Sequence, residues 1–595
     1  MQSVWFPARW HAPTGAKRLS AKYKAPIAAA IAHSSTHLIF STFLILGCSA
    51  VFWFTAPRFY ADTANYALHI VQHWERHSPA PGLDPLWDFG HLLWRPFGYV
   101  LWLLSGGAAS QDPVLHAANV LIAISGVCTV LSIILLYFLA AHYSGKPWVG
   151  LVTALGLLAT HAVINHSRTG TAYIPGMTCQ LAALYWLERQ IRERRERSIG
   201  TWLGSGVLLG LSVLFWFPYS LTVPGVLAFA VLYRSTIIRA RMALLLRMAA
   251  VCAMVVAATY ALALAADHIT TLAMAHDWFV RSRYGISPNR GYFRVMTGVP
   301  RSFFWLGEDG VFWKRLLFQP RIVVQHPALV SQILARAWKL LAVYAFLLVV
   351  GLELARAKSG HRLLVVLLIA TVPVLYFAIF LFDASPPDRY LPVFPMLFLC
   401  VAHMLARVGR RRTSIVLVCL FGLMFIANAV ALSRAGYSTR WSTTSAKVTC
   451  FARNCSRQDL LILLSFQDDV FRMWDEAPFD PLMRRVAEMY IAGIVGTQHA
   501  LNWQSEVSDR ILDKWEHGHN VWISKRLLAS RPQPEWNWVE GDDPRLHWAD
   551  FPAYFAPLQA VKECCGDDGY VLLAKTPENV AYLHQRASEL AVALH

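Results

Sequence analysis

Charge is scarce in this sequence. Only 15% of its 595 residues are Asp, Glu, Lys or Arg, against about a quarter in an average soluble domain. That scarcity argues against a chain solvated mainly by water. Nucleotide chemistry has no foothold either, because neither a Gly-rich phosphate loop nor a dinucleotide fingerprint occurs. No repeat of 20–50 residues is visible, and no pair of similar halves of the kind common in transporters. Asp-x-Asp occurs nowhere, and the 22 histidines and 10 cysteines show no metal-ligand spacing. His276 and Asp277 are adjacent, so on a helix they point different ways and do not read as a metal pair.

What is present suits lipid. Hydrophobic residues make up 56% of the chain and the aromatics number 23 Trp, 21 Tyr and 32 Phe. Trp and Tyr favour membrane interfaces. The net charge is +18. In a soluble protein this would point to nucleic acid. Here the basic residues gather in short loops between apolar runs, which is positive-inside patterning with attraction to anionic membrane lipid, so no nucleic-acid partner is expected.

A spanning helix needs about 20 mostly apolar residues. The first such run covers about 34–54, behind Arg9, Lys17, Arg18, Lys22 and Lys24, which places the N-terminus in the cytoplasm. It is too long for a simple signal peptide and reads as a retained helix. Further runs cover about 113–141, 147–164, 172–188, 200–217, 219–236, 243–266, 335–355, 363–382, 391–407 and 414–433. The stretch 91–108 is short and holds Arg95 and Pro96. Counting it as a span would put RQIRERRER and RVGRRR on opposite sides, so it reads as an interfacial or re-entrant helix. The expected fold is a polytopic α-helical membrane protein with about eleven transmembrane helices and a C-terminal α/β soluble domain. Residues 1–433 form the membrane module, with outer loops at 55–112 and 267–334, and 434–595 form the non-cytoplasmic domain. Strand-like runs at 460–466, 521–525 and 570–575 support the α/β reading of the tail. Six cysteines lie in apolar runs. The other four, Cys450, Cys455, Cys564 and Cys565, lie in the tail, where an oxidising compartment would allow one or two disulfides and leaves their pairing open.

Asp62 is the earliest acid in the chain and sits just past the first helix. A carboxylate near hydrocarbon is costly and marks function by default; a helix cap is the plainer role. Asp84 and Asp88, in GLDPLWDFG, read as turn residues, with Asp88 the candidate second acid. The outer loop 267–334 interleaves Arg281, Arg283, Arg290, Arg294, Arg301, Lys314, Arg315 and Arg321 with aromatics. Arginine binds phosphate bidentately, while headgroup anchoring is the plainer alternative. His166 and Arg168, in NHSRTGTAY, face the same side.

An acid just after the first helix, followed by an aromatic-bearing helix, resembles the first luminal loop of the C-type (GT-C) glycosyltransferases. That superfamily includes the protein mannosyltransferases and the lipid A aminoarabinose transferases. HLLWRPFGYVLWLL, starting at His91, is similar to the His-Pro-Pro-aromatic stretch of those families, with Leu92 and Leu93 in place of the prolines. PPDRYLPVFPMLFL is similar to their Arg-Tyr-x-x-Pro-x-x-Pro helix entry, with Arg389, Tyr390, Pro392 and Pro395 in order. The resemblance covers about residues 35–433, mostly as topology.

The resemblance implies an inverting glycosyltransferase that moves a sugar from a polyprenyl-phosphate donor to a lipid, glycan or protein acceptor at the outer membrane face. Asp62 would be its base. Arg389, Tyr390, His91, Arg168, Arg281, Arg283 and Arg290 would bind donor phosphate or substrate. Family members often carry two neighbouring acids where this chain has Asp62 and Thr63. A divalent metal is therefore poorly supported and no cofactor is assigned. Three alternatives stay open: a ligase or polymerase using a lipid diphosphate carrier, a transporter or flippase, and an assembly protein working through its tail. A bacterial inner membrane with a periplasmic tail is the expected setting.

Overall fold

The computed structural model describes residues 16–55, 61–75, 84–193, 195, 198–232, 238–282, 292–306, 327–357, 360–408, 411–433, 450–451, 453–456, 458–463, 487–490, 503–529, 549–566 and 569–593. The N-terminal part is helical. Its helices are α1 (Ala16–Phe54), α2 (Ala61–Glu75), α3 (Trp94–Leu104), α4 (Pro113–Ser144), α5 (Pro147–Leu158), α6 (His161–His166), α7 (Tyr173–Arg192), α8 (Ile199–Phe215), α9 (Val223–Leu232), α10 (Ile238–Ala266), α11 (Leu272–Ser282), α12 (Tyr292–Phe303), α13 (Pro327–Arg356), α14 (Gly360–Phe380), α15 (Phe394–Val408) and α16 (Arg411–Ala431). Among the described residues, seven helices are long and apolar enough to cross a membrane, and three shorter apolar helices cover Pro147–Leu158, Ile199–Phe215 and Phe217–Leu232. Helix α3 has 11 residues. At 1.5 Å per residue it falls well short of a bilayer core of about 30 Å.

Six of the seven candidate spans have 17–44% of their residues buried, whereas Pro387–Arg407 has 89%. That span is the inner post of the bundle. It begins with a 3-10 turn, Pro387–Val393, because Pro392 cannot donate to an α-helical ladder. Helix α4 packs against α1, α2, α5, α7 and α15. The C-terminal ends of α1 and α16 meet in a bridge between Thr55 and Ser433.

The C-terminal part holds a five-stranded mixed sheet in the order β2-β1-β3-β5-β4, formed by Leu460–Leu463, Ala487–Tyr490, Val521–Ser524, Ala560–Cys564 and Tyr570–Leu573 for β1 to β5. The pairs β1–β2 and β1–β3 are parallel, while β3–β5 and β4–β5 are antiparallel. Strand β1, Leu-Leu-Ile-Leu, is buried throughout, as a central parallel strand covered on both faces should be. Helix α17 (Trp503–Glu516) buries Trp503, Val507, Ile511 and Trp515, one apolar stripe at helical spacing. Helices α18 (Asp550–Phe555) and α19 (Pro577–Ala593) also lie in this part. Cys450 and Cys565 form a disulfide. Cys455 and Cys564 stay reduced, each with its thiol pushed up by burial.

Candidate active site

Two loops and a helix entry converge beside α7. Thr63 is buried, and its hydroxyl accepts from the Gly170 amide at 2.9 Å. The Gly170 carbonyl accepts from the Trp94 indole at 3.0 Å. This grip holds the start of α2 against the segment between α6 and α7. A Cβ at Gly170 would lie 2.7 Å from the Thr63 side chain, so the approach needs glycine. The outcome is that Asp62, in the first turn of α2, reaches Tyr173 at the start of α7. The Tyr173 hydroxyl donates to Asp62 Oδ2 at 2.8 Å. Tyr173 is itself pinned, because the Tyr219 hydroxyl donates to its carbonyl at 2.8 Å.

Asp62 and Tyr173 line a cavity of about 280 Å³. Its other walls are His161, Asn165 and His166 of α6 with Thr171, Arg301 and Trp305 at the end of α12, and Pro386, Pro387, Asp388 and Arg389 at the mouth of the inner post. Arg389 is ion-paired with Asp388. Its guanidinium lies 4.0 Å from the Phe382 ring centroid, which holds the plane flat while leaving donors for a ligand. His166 Nε2 stands 3.8 Å from Asp388 Oδ1. Two guanidinium groups and two carboxylates thus share one partly enclosed space with an indole and two imidazoles. Such a space can hold an anion against the arginines while a carboxylate takes a proton from a neighbouring hydroxyl.

Helix α12 is packed hard against the segment leading into the post. A Cβ at Gly298 would lie 1.9 Å from the Ala384 carbonyl oxygen. Arg294 pairs with Asp383 at 3.2 Å. Burial raises the Asp383 carboxyl, and Arg294 with the Ser385 amide more than offsets it, leaving the group below the usual carboxylate range.

Among the expected site residues, Asp62 and Arg389 line the cavity, whereas Tyr390, His91, Arg168 and Asp88 are placed elsewhere. The Tyr390 hydroxyl donates to the Ala384 carbonyl at 2.7 Å, and the residue is buried behind the wall. His91 sits between Tyr66, at 3.2 Å from Nε2, and Asp88, at 3.1 Å from Nδ1. Arg168 lies over the Phe52 ring. Asp88 is buried, accepts from the Gly90 amide and pairs with Arg95 at 3.0 Å, so it works as a turn residue. The fitting of Arg95 between Asp88 and the Pro85 carbonyl explains why an arginine is tolerated in 91–108. Arg281 lies in α11, and Arg283 and Arg290 lie outside the described residues. No group of three or more His, Cys, Asp or Glu that could hold a metal ion occurs among the described residues.

Sequence reasoning missed Asp388, Tyr173, Trp305, His161 and Asn165. Asp388 had a signal, since it directly precedes Arg389 in the proline-flanked helix entry.

Comparison with known proteins agrees with this architecture. Residues 101–261 match the family model described as dolichyl-phosphate-mannose-protein mannosyltransferase. The crystal structure of ArnT from Cupriavidus metallidurans bound to undecaprenyl phosphate superposes with a TM-score of 0.50 at 13% identity, over 90% of this chain and 98% of that one. The oligosaccharyltransferase of Archaeoglobus fulgidus in its apo form superposes with a TM-score of 0.45 at 13% identity, over 89% of this chain and 73% of that one. No curated protein matches the chain by sequence. The chain has the fold of ArnT, and its residues 101–261 are similar to the dolichyl-phosphate-mannose-protein mannosyltransferases.

Proposed function

We propose that this GT-C-type protein is an inverting glycosyltransferase whose donor is a sugar on polyprenyl phosphate and whose base is Asp62. The observation that carries the reading is a single one. Asp62 and Arg389 open into the same cavity, one able to accept a proton and the other able to hold phosphate. The acceptor hydroxyl oxygen attacks the anomeric carbon while its proton passes to Asp62. The bond from that carbon to the phosphate oxygen breaks, and the electron pair leaves with polyprenyl phosphate. Arg389 and Arg301 neutralise the charge that develops on the leaving phosphate. The Tyr173 hydroxyl fixes one oxygen of Asp62 and aims the other at the acceptor. A donor of this class is supported by ArnT, whose structure holds undecaprenyl phosphate.

The topology that goes with this reading has about eleven spans, a cytoplasmic N-terminus and the sheet-bearing tail outside, in a bacterial inner membrane with the tail in the periplasm. The acceptor is a lipid, a glycan or a protein. The tail, by its position, meets that acceptor. The test is sugar transfer by the purified protein in detergent, with a panel of polyprenyl-phosphate sugars. Release of polyprenyl phosphate by the wild type and its collapse in a folded Asp62→Asn variant is the expected result. Undiminished transfer by Asp62→Asn removes Asp62 from the mechanism, and no release from any donor sinks the proposal.

A further inference from the structure

Asn428 stands in α16 and is wholly buried, yet it does not line the cavity. A polar side chain in a membrane helix is costly unless its hydrogen bonds are met. All of Asn428's bonds go to backbone. Its Oδ1 accepts from the Trp305 amide at 2.8 Å, and its Nδ2 donates to the carbonyls of Ala159 at 2.8 Å and Phe303 at 2.7 Å. The two carbonyls can only accept and the amide can only donate, so the orientation of the side-chain amide is fixed by chemistry.

These three backbone groups belong to two walls of the cavity. Ala159 ends α5 and directly precedes Thr160, whose hydroxyl caps α6. That short helix presents His161 and His166 to the cavity. Phe303 ends α12, which presents Arg301, and Trp305, two residues beyond the helix, itself faces the cavity. The same seam carries a bond between His161 Nδ1 and the Arg301 carbonyl at 2.7 Å, and one from Lys339 Nζ to the Trp305 carbonyl at 2.7 Å. Asn428 joins both walls to a helix outside the site.

We infer that Asn428 is a positioning residue that sets the gap between the Arg301–Trp305 wall and the His161–His166 wall, and through that gap the grip on the donor. The inference rests on reading the cavity as a donor site. Asp62 is carried by a different segment, so loosening this seam acts on donor binding more than on the proton transfer.

The test uses full-length protein in detergent. Asn428→Leu removes all three bonds, and Asn428→Asp keeps only the acceptor for the Trp305 amide. In both, the apparent KM for the polyprenyl-phosphate sugar rises roughly tenfold while kcat stays within about threefold. In an Arg301→Gln background the same substitutions move KM by less than about twofold, because residues acting through one contact are not additive. Additive KM effects, or an unchanged KM, overturn the inference. Failure of both variants to fold assigns Asn428 to the fold alone and also overturns it. A second readout needs no turnover, and so separates this inference from the proposed reaction. Trp305→Cys is labelled with a soluble maleimide, with and without Asn428→Asp, and read by peptide mass. Clearly faster labelling in the double variant supports the seam even if the wild type transfers no sugar. Equal rates reject it.

Discussion

The Tyr173 hydroxyl donates to the Asp62 carboxylate at 2.8 Å, joining residues that stand 111 positions apart. The contact puts the acid at the start of α2 against the start of α7. It is made possible by the Thr63–Gly170 bond one residue further along α2.

Tyr173→Phe leaves the ring in its aromatic packing with Trp216 and His166 and removes only the hydroxyl. Asp62 then loses its aim. Transfer is expected to fall in kcat by about tenfold, well short of the 10²–10⁴-fold loss expected for Asp62→Asn. Steady-state kinetics with a saturating donor separate the two. A Tyr173→Phe enzyme as inactive as Asp62→Asn would mean that the hydroxyl itself handles a proton.

Arg389→Lys keeps a cation beside Asp388 but loses the planar fork and the stacking on Phe382. The apparent KM for the donor is expected to rise about tenfold, equal to roughly 1.4 kcal/mol of binding. The variant should still purify as a folded monodisperse species. Unchanged donor kinetics would show that phosphate is held elsewhere in the cavity.

Asp88 and Asp62 should separate cleanly by assay. Burial raises the Asp88 carboxyl, and Arg95, His91 and the Gly90 amide more than offset it, so its folded pKa lies below the unfolded value of about 4. A carboxyl depressed in this way contributes stability above its unfolded pKa, and that contribution is lost as pH falls through the folded value. Asp88→Asn should therefore be destabilised by about 3–5 kcal/mol at neutral pH, as expected when one partner of a buried pair is removed. The gap to wild type should close below about pH 4. Thermal unfolding at several pH values measures this, and transfer per folded molecule should be retained. A loss of kcat with unaltered unfolding would make Asp88 the second acid after all.

Gly298→Ala places a methyl group where the Ala384 carbonyl already sits. Helix α12 must move off the post, carrying Arg301 with it. Activity should drop by more than about tenfold, with a melting temperature several degrees lower from overpacking. Normal activity would mean that the wall adjusts without cost to the site.

The apolar runs fall on helices because some twenty apolar residues in a row have one way to satisfy their backbone in lipid. That pattern is local and survives in the sequence. Asp62 and Arg389 are legible for a related reason, since each is a charge at the mouth of an apolar helix. His91 and Tyr390 read as binding residues by their place in motifs, whereas the structure bonds His91 to Tyr66 and Asp88 and Tyr390 to the Ala384 carbonyl. The motif carries the backbone turn as much as the chemistry, and sequence alone does not divide the two. Asn428 leaves no trace of its role, as one amide within an apolar run whose partner Ala159 lies 269 positions away. Strands β1, β3 and β5 are legible in the tail as short apolar runs, β2 and β4 (AEMY and AVKEC) are not, and the Cys450–Cys565 pairing is one of several that four cysteines allow.

Since no gap separates Gly298 from Ala384, Arg301 and Arg389 ride on a single solid block. The mutual repulsion of the two cations is met once, when the chain folds, and does not recur with each turnover. A phosphate bound there as proposed would meet a field already oriented, with no dipole left to turn. The cavity is thus a fixed berth on this side.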